Sequence, residues 1–545
     1  MSNLKDFDWT GFWNDVDYAF ESYIGKPVTD EDIKNAEAEL GYILPTAYIE
    51  LLKNHNGGVV NKNCFINDDD DCVYITGIYG IDRDKKYSLL GEMGNEFWIS
   101  KVKYPPREDI FTIKILKYNL EEDKMSEFKL TSVEEFEQAT NELLENGAKV
   151  GADAWQFRVK NQTPHCKFGE QGTCCRICTM GPCRITPKAP RGICGCDVHG
   201  IVGRNFLRFT AGGSATHSDH GREICHTLHE ADPNGNYKVK DPEKLIRIAK
   251  EWGVETEGKD IYDLAHEMAE TGLMEYGKPF GYQRFLDRMP AGQKEKLIEN
   301  EIAPRAIDRE VSTSLHMAHM GCSSLPEALV KQSLRCGMAD GWGGSMMGTE
   351  FSDVLFGTPK PIDTEANLGV MVEENVNIVV HGHDPSLSEM ICEYADDPEM
   401  IAYAKSMGAK GITVSGVCCT SNEVAMRRGI PMAGNFLQQE NVVLTGACEA
   451  IVVDVQCIFP ALGPLSKCFH TKFITTSPIA QMPDAEFIRF NAETAGENAK
   501  AIVKMAIDNF KNRKPELVHI PQLKQKATVG YSVEAIVKTL DGVTN

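Results

Sequence analysis

The chain has 545 residues, 42% of them hydrophobic and 25% charged, with a formal net charge of −22. That length predicts three or four domains, and the composition is that of a globular protein rather than a fibrous or disordered one. No apolar run approaches the roughly 18 residues of a membrane span, Met1–Trp13 is acidic and polar rather than a secretory signal, and an acidic surface repels nucleic-acid phosphates, so a cytoplasmic protein without nucleic-acid partners is expected.

Charge and cysteine are unevenly spread. Residues 1–150 carry 16 Lys+Arg against 30 Asp+Glu and only two of the 18 cysteines, Cys64 and Cys72. Seven of the others fall between Cys166 and Cys196. These asymmetries predict a boundary near residue 150 between two unrelated pieces. In the first piece, Thr29 or Asp30 caps a helix through Ile33, Ala36 and Leu40. A second helix runs from Pro45 through Tyr48, Leu51 and Leu52 to the stop at Asn56-Gly57-Gly58. Asp68–Asp71 reads as a solvated loop, Val73–Ile78 and Ile110–Tyr118 as strands, and Val133–Leu144 as a closing helix. The expectation for residues 1–150 is a small α+β domain that binds without chemistry of its own. Leu44-Pro45-x-x-Tyr48-x-x-Leu51-Leu52-x-x-x-Asn56-Gly57-Gly58 resembles the signature of the SUKH superfamily. That resemblance implies a binding module, with a protein toxin as one possible partner.

The second piece opens with Cys166, the adjacent pair Cys174-Cys175, then Cys178, Cys183, Cys194 and Cys196. Clustered thiolates without a secretory signal point to soft metals, iron–sulfur or zinc. Zinc usually takes two separated Cys-x-x-Cys knuckles. This run has one knuckle, and its adjacent cysteines cannot easily face one ion, which favours iron–sulfur clusters and two different sites. Residues 155–370 are expected to form an α-helical iron–sulfur domain. Within it His217, His220, His226 and His229 recur at multiples of three, along one helical face. From about 371 to 545 apolar runs alternate with helical stretches, which indicates an α/β domain with a parallel sheet. Val376–Val380 ends at His381-Gly-His383, Ile412–Val417 at Cys418-Cys419, and Ile451–Val455 at Cys457. Ligands in such sheets bind beyond the carboxyl ends of strands, so His383, Cys419 and Cys457 are expected to converge. Gly341-Trp-Gly-Gly follows no apolar strand and is not a dinucleotide loop.

Cys174-Cys-x-x-Cys-x-x-Gly-Pro-Cys-Arg-Ile, Ile201-Val-Gly-Arg-Asn-Phe and His217-Ser-Asp-His-Gly-Arg closely resemble the nickel–iron–sulfur carbon monoxide dehydrogenases of anaerobes. So do Ala339-Asp-Gly-Trp-Gly-Gly-Ser-Met, Leu355-Phe-Gly-Thr-Pro, His381-Gly-His-Asp-Pro, Val417-Cys-Cys-Thr-Ser-Asn-Glu, Val455-Gln-Cys and Val529-Gly-Tyr-Ser-Val-Glu-Ala-Ile. The resemblance covers residues 155–540. It implies a helical domain followed by a Rossmann-like one. It implies a 4Fe–4S cluster on Cys175, Cys178, Cys183 and Cys194, and another shared by Cys166 and Cys174 with the same pair of a second subunit, hence a homodimer. Cys196 has no ligand role in that pattern. The resemblance makes His383, Cys419 and Cys457 partial ligands of a Ni-Fe-S cluster; Cys419 is preferred to Cys418 for its spacing to Cys457. It also makes His217, His220 and His226 a proton relay, with Glu223 where a further histidine is expected. The implied reaction is oxidation of CO by water to CO2, with electrons passing to a ferredoxin. Family members continue into a second α/β domain with three more cysteine ligands and a lysine, so this chain is expected to be inactive alone. Two other readings predict different behaviour. An iron–sulfur electron-transfer remnant would hold iron without nickel, and a toxin-immunity protein would act through residues 1–150.

Overall fold

The computed structural model describes residues 24–40, 44, 46–56, 64–66, 72–74, 81, 84 and 133–540. The chain divides into two compact units, Met1–Glu127 and Phe128–Asn545.

In the first unit, α1 (Asp30–Leu40) and α2 (Thr46–Asn54) accompany a short antiparallel pair, β1 (Cys64–Ile66) and β2 (Cys72–Tyr74). Thr29 starts α1 by reciprocal capping: its hydroxyl accepts from Asp32 N (3.2 Å), while the Asp32 carboxylate accepts from Thr29 N (2.8 Å). Ile33, Ala36, Leu44, Leu52 and Ile81 are buried together. Asn56 ties loop to loop, its Oδ1 accepting from Ile81 N and its Nδ2 donating to Lys26 O, both at 2.8 Å. The strand expected over Val73–Ile78 is seen as Cys72–Tyr74, while Pro45, Gly57, Gly58, Asp68–Asp71 and Ile110–Tyr118 lie outside the described residues.

The second unit begins with α3 (Val133–Ala148), the helix expected to close the first piece. Its wholly buried Leu143 joins the core under the sheet, and Asn146 Nδ2 donates to Leu444 O (2.8 Å) and Leu517 O (2.7 Å). An amphipathic pattern predicts a buried stripe but not its partner, so the units part between Glu127 and Phe128 instead of near 150. Next, α4 (Trp155–Asn161) is held by buried Glu440, which accepts from Trp155 N (2.6 Å) and pairs with Arg158.

The helical part is organised around α5 (Val198–His229), 32 residues long and capped by Asp197 Oδ1 accepting from Gly200 N at 2.9 Å. α6 (Pro242–Glu251) packs on α7 (Ile261–Gly277) and α10 (Met346–Phe356), and those two, with α8 (Ile307–Met317) and α9 (Pro326–Ala339), surround α5. Asp340–Ser345, the glycine-rich segment between α9 and α10, is one wider π-helical turn. A Cβ on Gly344 would lie 2.7 Å from His217 O, so only glycine lets this turn lie against α5.

Eight strands form the main sheet: β5 (Ile362–Ala366), β6 (Val376–Gly382), β7 (Ile412–Val417), β8 (Met432–Gly434), β9 (Cys448–Val453), β10 (Lys472–Thr475), β11 (Glu486–Phe487) and β12 (Gln525–Val529). A separate ladder pairs β3 (Cys174–Cys175) with β4 (Cys183–Arg184). The main sheet runs β11-β10-β9-β6-β7-β8-β5-β12, parallel throughout except for β12 against β5. Every residue of β6 and β9 is buried, as central parallel strands covered on both faces should be. The sheet therefore begins at Ile362, ahead of residue 371, and is mixed rather than wholly parallel. Among the strands outside the expected pattern, β5 (IDTEA) and β12 (QKATV) lack apolar runs. The covering helices are α11 (Pro385–Ala395), α12 (Pro398–Ser406), α13 (Cys418–Arg428), α14 (Gln439–Leu444), α15 (Ala495–Asn509) and α16 (Val533–Leu540). No helix among the described residues is long and apolar enough to cross a membrane.

Candidate metal centre

Two sets of soft donors are brought together. The first surrounds the β3–β4 ladder, whose register sets Cys175 opposite Cys183 and Cys174 opposite Arg184. Successive strand residues point to opposite faces, so Cys174 and Cys175 face apart. Cys175, Cys178, Cys183 and Cys194 line one pocket, with Cys196 and Arg204 beside them. Cys183 Sγ accepts from Ile193 N at 3.5 Å, and the Cys196 amide with the Arg204 side chain draws the Cys194 thiol below its ordinary range. Burial instead raises Cys196, which favours the thiol over a ligating thiolate. Cys166 is exposed outside this pocket, at the start of a short helical turn whose amides lower its pKa. Asn205 of α5 fixes the ladder by donating from Nδ2 to Gly172 O and Cys174 O, both at 2.9 Å.

The second set stands at the carboxyl ends of β6, β7 and β9. His383 follows β6, Cys418 and Cys419 open α13 after β7, and Cys457 follows β9. The ligand atoms of His383, Cys418 and Cys457 all lie within 4.8 Å of one another. The sequence reading favoured Cys419 over Cys418; the structure places Cys418 in this triangle and Cys419 against it, hydrogen-bonded to both Cys418 and His383. Cys418 has a φ of 68°, and Gln456 and Cys457 have φ of 68° and 59°. Non-glycine residues in left-handed conformations are strained and mark functional loops.

Cys418 is held as a thiol, donating to Cys419 and Cys457, and those bonds with burial push its pKa far up. Cys419 falls to about 4 through its hydrogen bonds with Cys418 and then His383, and Cys457 to about 6 through its bond from Cys418. For His383, burial works against the charged form, but the Cys419 hydrogen bond and the charges of Cys419, Asp454 and Cys457 outweigh it and raise the pKa. A soft metal ion entering here would displace those protons. His383 Nδ1, buried without a hydrogen-bond partner, adds an unsatisfied imidazole donor. One imidazole and three sulfurs thus suit a nickel–iron–sulfur group.

The histidines of α5 run from this site outward. His217 and His220 lie with ring centroids 5.8 Å and 6.3 Å from that of His383. His217 Nδ1 is 2.7 Å from Asp340 Oδ1. Burial drops His220 to about 4, so its imidazole is neutral, and its Nε2 is buried without a partner. Glu223 and His226 reach solvent on the same helix; the surrounding protein raises the first and lowers the second. His229 stacks on His266, centroids 5.4 Å apart, away from this group.

Two neighbours were given no role by the sequence. Asp454, pushed up to about 8 by burial and then by Asp384, accepts from His383 N at 2.6 Å and also from Val455 N. His381, lowered to about 4 by burial, bonds Gln439 Oε1 at 3.1 Å. Only the position of Asp454 directly after β9 could have signalled its role.

Residues 173–540 match the model of the Prismane/CO dehydrogenase family. The chain belongs to that family. Residues 27–139 separately match the SMI1 / KNR4 family (SUKH-1). The carbon monoxide dehydrogenase 1 of Methanosarcina mazei is 46% identical over 409 residues, covering 74% of this chain and 65% of that protein. That of Carboxydothermus hydrogenoformans is 45% identical over 413 residues, covering 74% and 64%. The as-isolated, nickel-free carbon monoxide dehydrogenase of Thermococcus sp. AM4 superposes with a TM-score of 0.72 at 48% identity, over 74% of this chain and 64% of that one. An acetyl-CoA synthase/carbon monoxide dehydrogenase described with NiZn[Fe4S4] and NiNi[Fe4S4] clusters gives a TM-score of 0.71 at 41% identity, over 74% and 61%. The chain thus spans just under two thirds of these proteins' length.

Proposed function

We propose that this chain carries the electron-transfer clusters and part of the catalytic centre of an enzyme that oxidises CO with water to CO2, two protons and two electrons. The convergence of His383, Cys418, Cys419 and Cys457 at three strand ends, beside the His217–His220 helix, carries this reading. When bound, a nickel–iron–sulfur cluster supplies a soft site for CO and a Lewis acid that lowers the pKa of water. His383, Cys419 and Cys457 are its ligands from this chain, with Cys418 adjoining. His217, oriented by Asp340, takes the released proton; neutral His220 and the Glu223 carboxyl pass it on, and His226 gives it to solvent.

Cys175, Cys178, Cys183 and Cys194 hold one 4Fe–4S cluster. Cys166 and Cys174, outside that pocket, share another with a second copy. Val202, Phe206 and Phe209 (81% exposed) on α5 and Val330 and Leu334 on α9 form an exposed apolar face that a second copy would cover. The electron acceptor is a ferredoxin-type carrier. The Rossmann-like part supplies His383, Cys418, Cys419 and Cys457 to this centre. The first unit is a binding module for another protein, such as a toxin.

Metal analysis of anaerobically purified protein tests the reading. The two electron-transfer sites require about six irons per chain in a dimer. Nickel near one per chain with additional iron supports the enzyme. Six irons without nickel supports an electron-transfer remnant.

A further inference from the structure

Gln439 opens α14, eighteen residues before Cys457 and outside every motif named above. Its side chain is wholly buried, yet both ends of its amide are used. Nε2 donates to Cys457 O at 2.9 Å and to Phe436 O at 2.6 Å. Oε1 accepts from Phe459 N at 2.7 Å and lies 3.1 Å from His381 Nε2. This pattern fixes which end of the amide is which, and it makes Nε2 the protonated nitrogen of His381. His381 Nδ1 is then a bare acceptor, in keeping with its buried, unpartnered state.

The bonds to Cys457 O and Phe459 N grip the chain on both sides of Ile458. Just before them, Gln456 and Cys457 adopt φ of 68° and 59°. Non-glycine residues keep such conformations only where their surroundings impose them. Asp454 secures the start of the loop through Val455 N, and Gln456 Nε2 donates to Thr216 O at 2.6 Å. Among the described residues, Gln439 is the side chain that holds the loop at Cys457 itself.

We propose that Gln439 is a positioning residue of the metal centre: with His381 behind it, it clamps the Cys457 loop in the left-handed backbone that aims the Cys457 thiol at His383 and Cys418. The arm of its test that uses metal rests on the function proposed above; the arm that uses the metal-free protein does not.

Gln439→Met removes the four bonds at nearly constant volume. Two readouts follow. In metal-free protein, hydrogen exchange of a peptide spanning residues 455–459 reports on the clamp. In iron-reconstituted protein, equilibrium dialysis with Ni2+ reports on the site, and iron bound at Cys175, Cys178, Cys183 and Cys194 confirms folding. The expected result is at least about tenfold faster loop exchange and about tenfold weaker nickel binding, the range seen for residues that orient metal ligands, with that iron unchanged. Wild-type exchange at 455–459 in a folded Gln439→Met variant overturns the proposal. A wild-type chain that takes up no nickel overturns the metal reading instead, and loop exchange then decides the clamp alone. Should Gln439→Met lose the control iron, Gln439→Glu, which keeps the acceptor for Phe459 N and loses both donated bonds, is judged by the same exchange measurement.

Discussion

Alanine at Gly382 should disable the strand-end site more than it disturbs the fold elsewhere. Gly382 has a φ of 130°, and a Cβ there would meet Asp454 Oδ1 at 2.0 Å and Cγ at 2.4 Å. The carboxylate is not free to retreat, because it accepts from His383 N at 2.6 Å and from Val455 N. The backbone conformation alone costs a side-chain-bearing residue about 1–3 kcal/mol. Overpacking against a buried group adds about 1–3 kcal/mol. Unseating a hydrogen-bonded carboxylate adds about 1–3 kcal/mol more. Gly408 provides the control: its φ is 98°, but nothing lies within 4 Å of its Cβ. Gly408→Ala therefore carries the first cost only. Urea unfolding of the two variants side by side should show Gly382→Ala less stable by at least about 2 kcal/mol. Nickel uptake should fall only in Gly382→Ala, since Asp454 also holds the His383 amide. Equal stabilities, or full nickel uptake by Gly382→Ala, would refute the reasoning.

Arg158→Ala should cost about 3–5 kcal/mol in urea unfolding, because it strands the wholly buried Glu440 charge, whereas Glu440→Gln should cost less. Burial lowers His381 from 6.5 to about 4, so the unfolded chain takes up that proton first and stability falls as pH drops from 6.5 to 4. This contributes up to about 3 kcal/mol, and His381→Gln should flatten that part of the stability curve. Cys194→Ser should lose about four irons per chain by metal analysis, while Cys196→Ser, altering a buried thiol beside the pocket, should lose none. Phe209→Glu, charging the exposed apolar face of α5, should convert a dimer to a monomer in light scattering.

The parts legible in the sequence were those written as periodicity or spacing. Val376–Val380 announced a central strand, because a strand buried on both faces is apolar along most of its length. The same logic placed His383 and Cys457 at strand ends before any geometry was known. It could not show how Cys418 and Cys419 share the site, because spacing does not report the φ of 68° at Cys418. β5 and β12 were missed because neither carries an apolar run, β12 being the edge strand and β5 the one beside it. The helix Val133–Ala148 was legible as a helix, but its stripe does not name the surface it covers. Gln439 left no trace: a buried amide is recognised by its four partners, and those are tertiary facts.

The length of α5 has a further consequence. Asn205 on this helix holds the β3–β4 ladder, and His217 on the same helix faces His383. Twelve residues of α-helix separate them by about 18 Å along the axis. Electron tunnelling weakens exponentially with distance, so a flexible link between two redox centres would spread their transfer rates widely. One unbroken helix, packed against four others, leaves that spacing almost no freedom. An inserted residue in the stretch 206–216 would shift the far end by about 1.5 Å and rotate it by roughly 100°. The histidine face would then turn away from His383 at the same moment as its distance from the β3–β4 ladder changed.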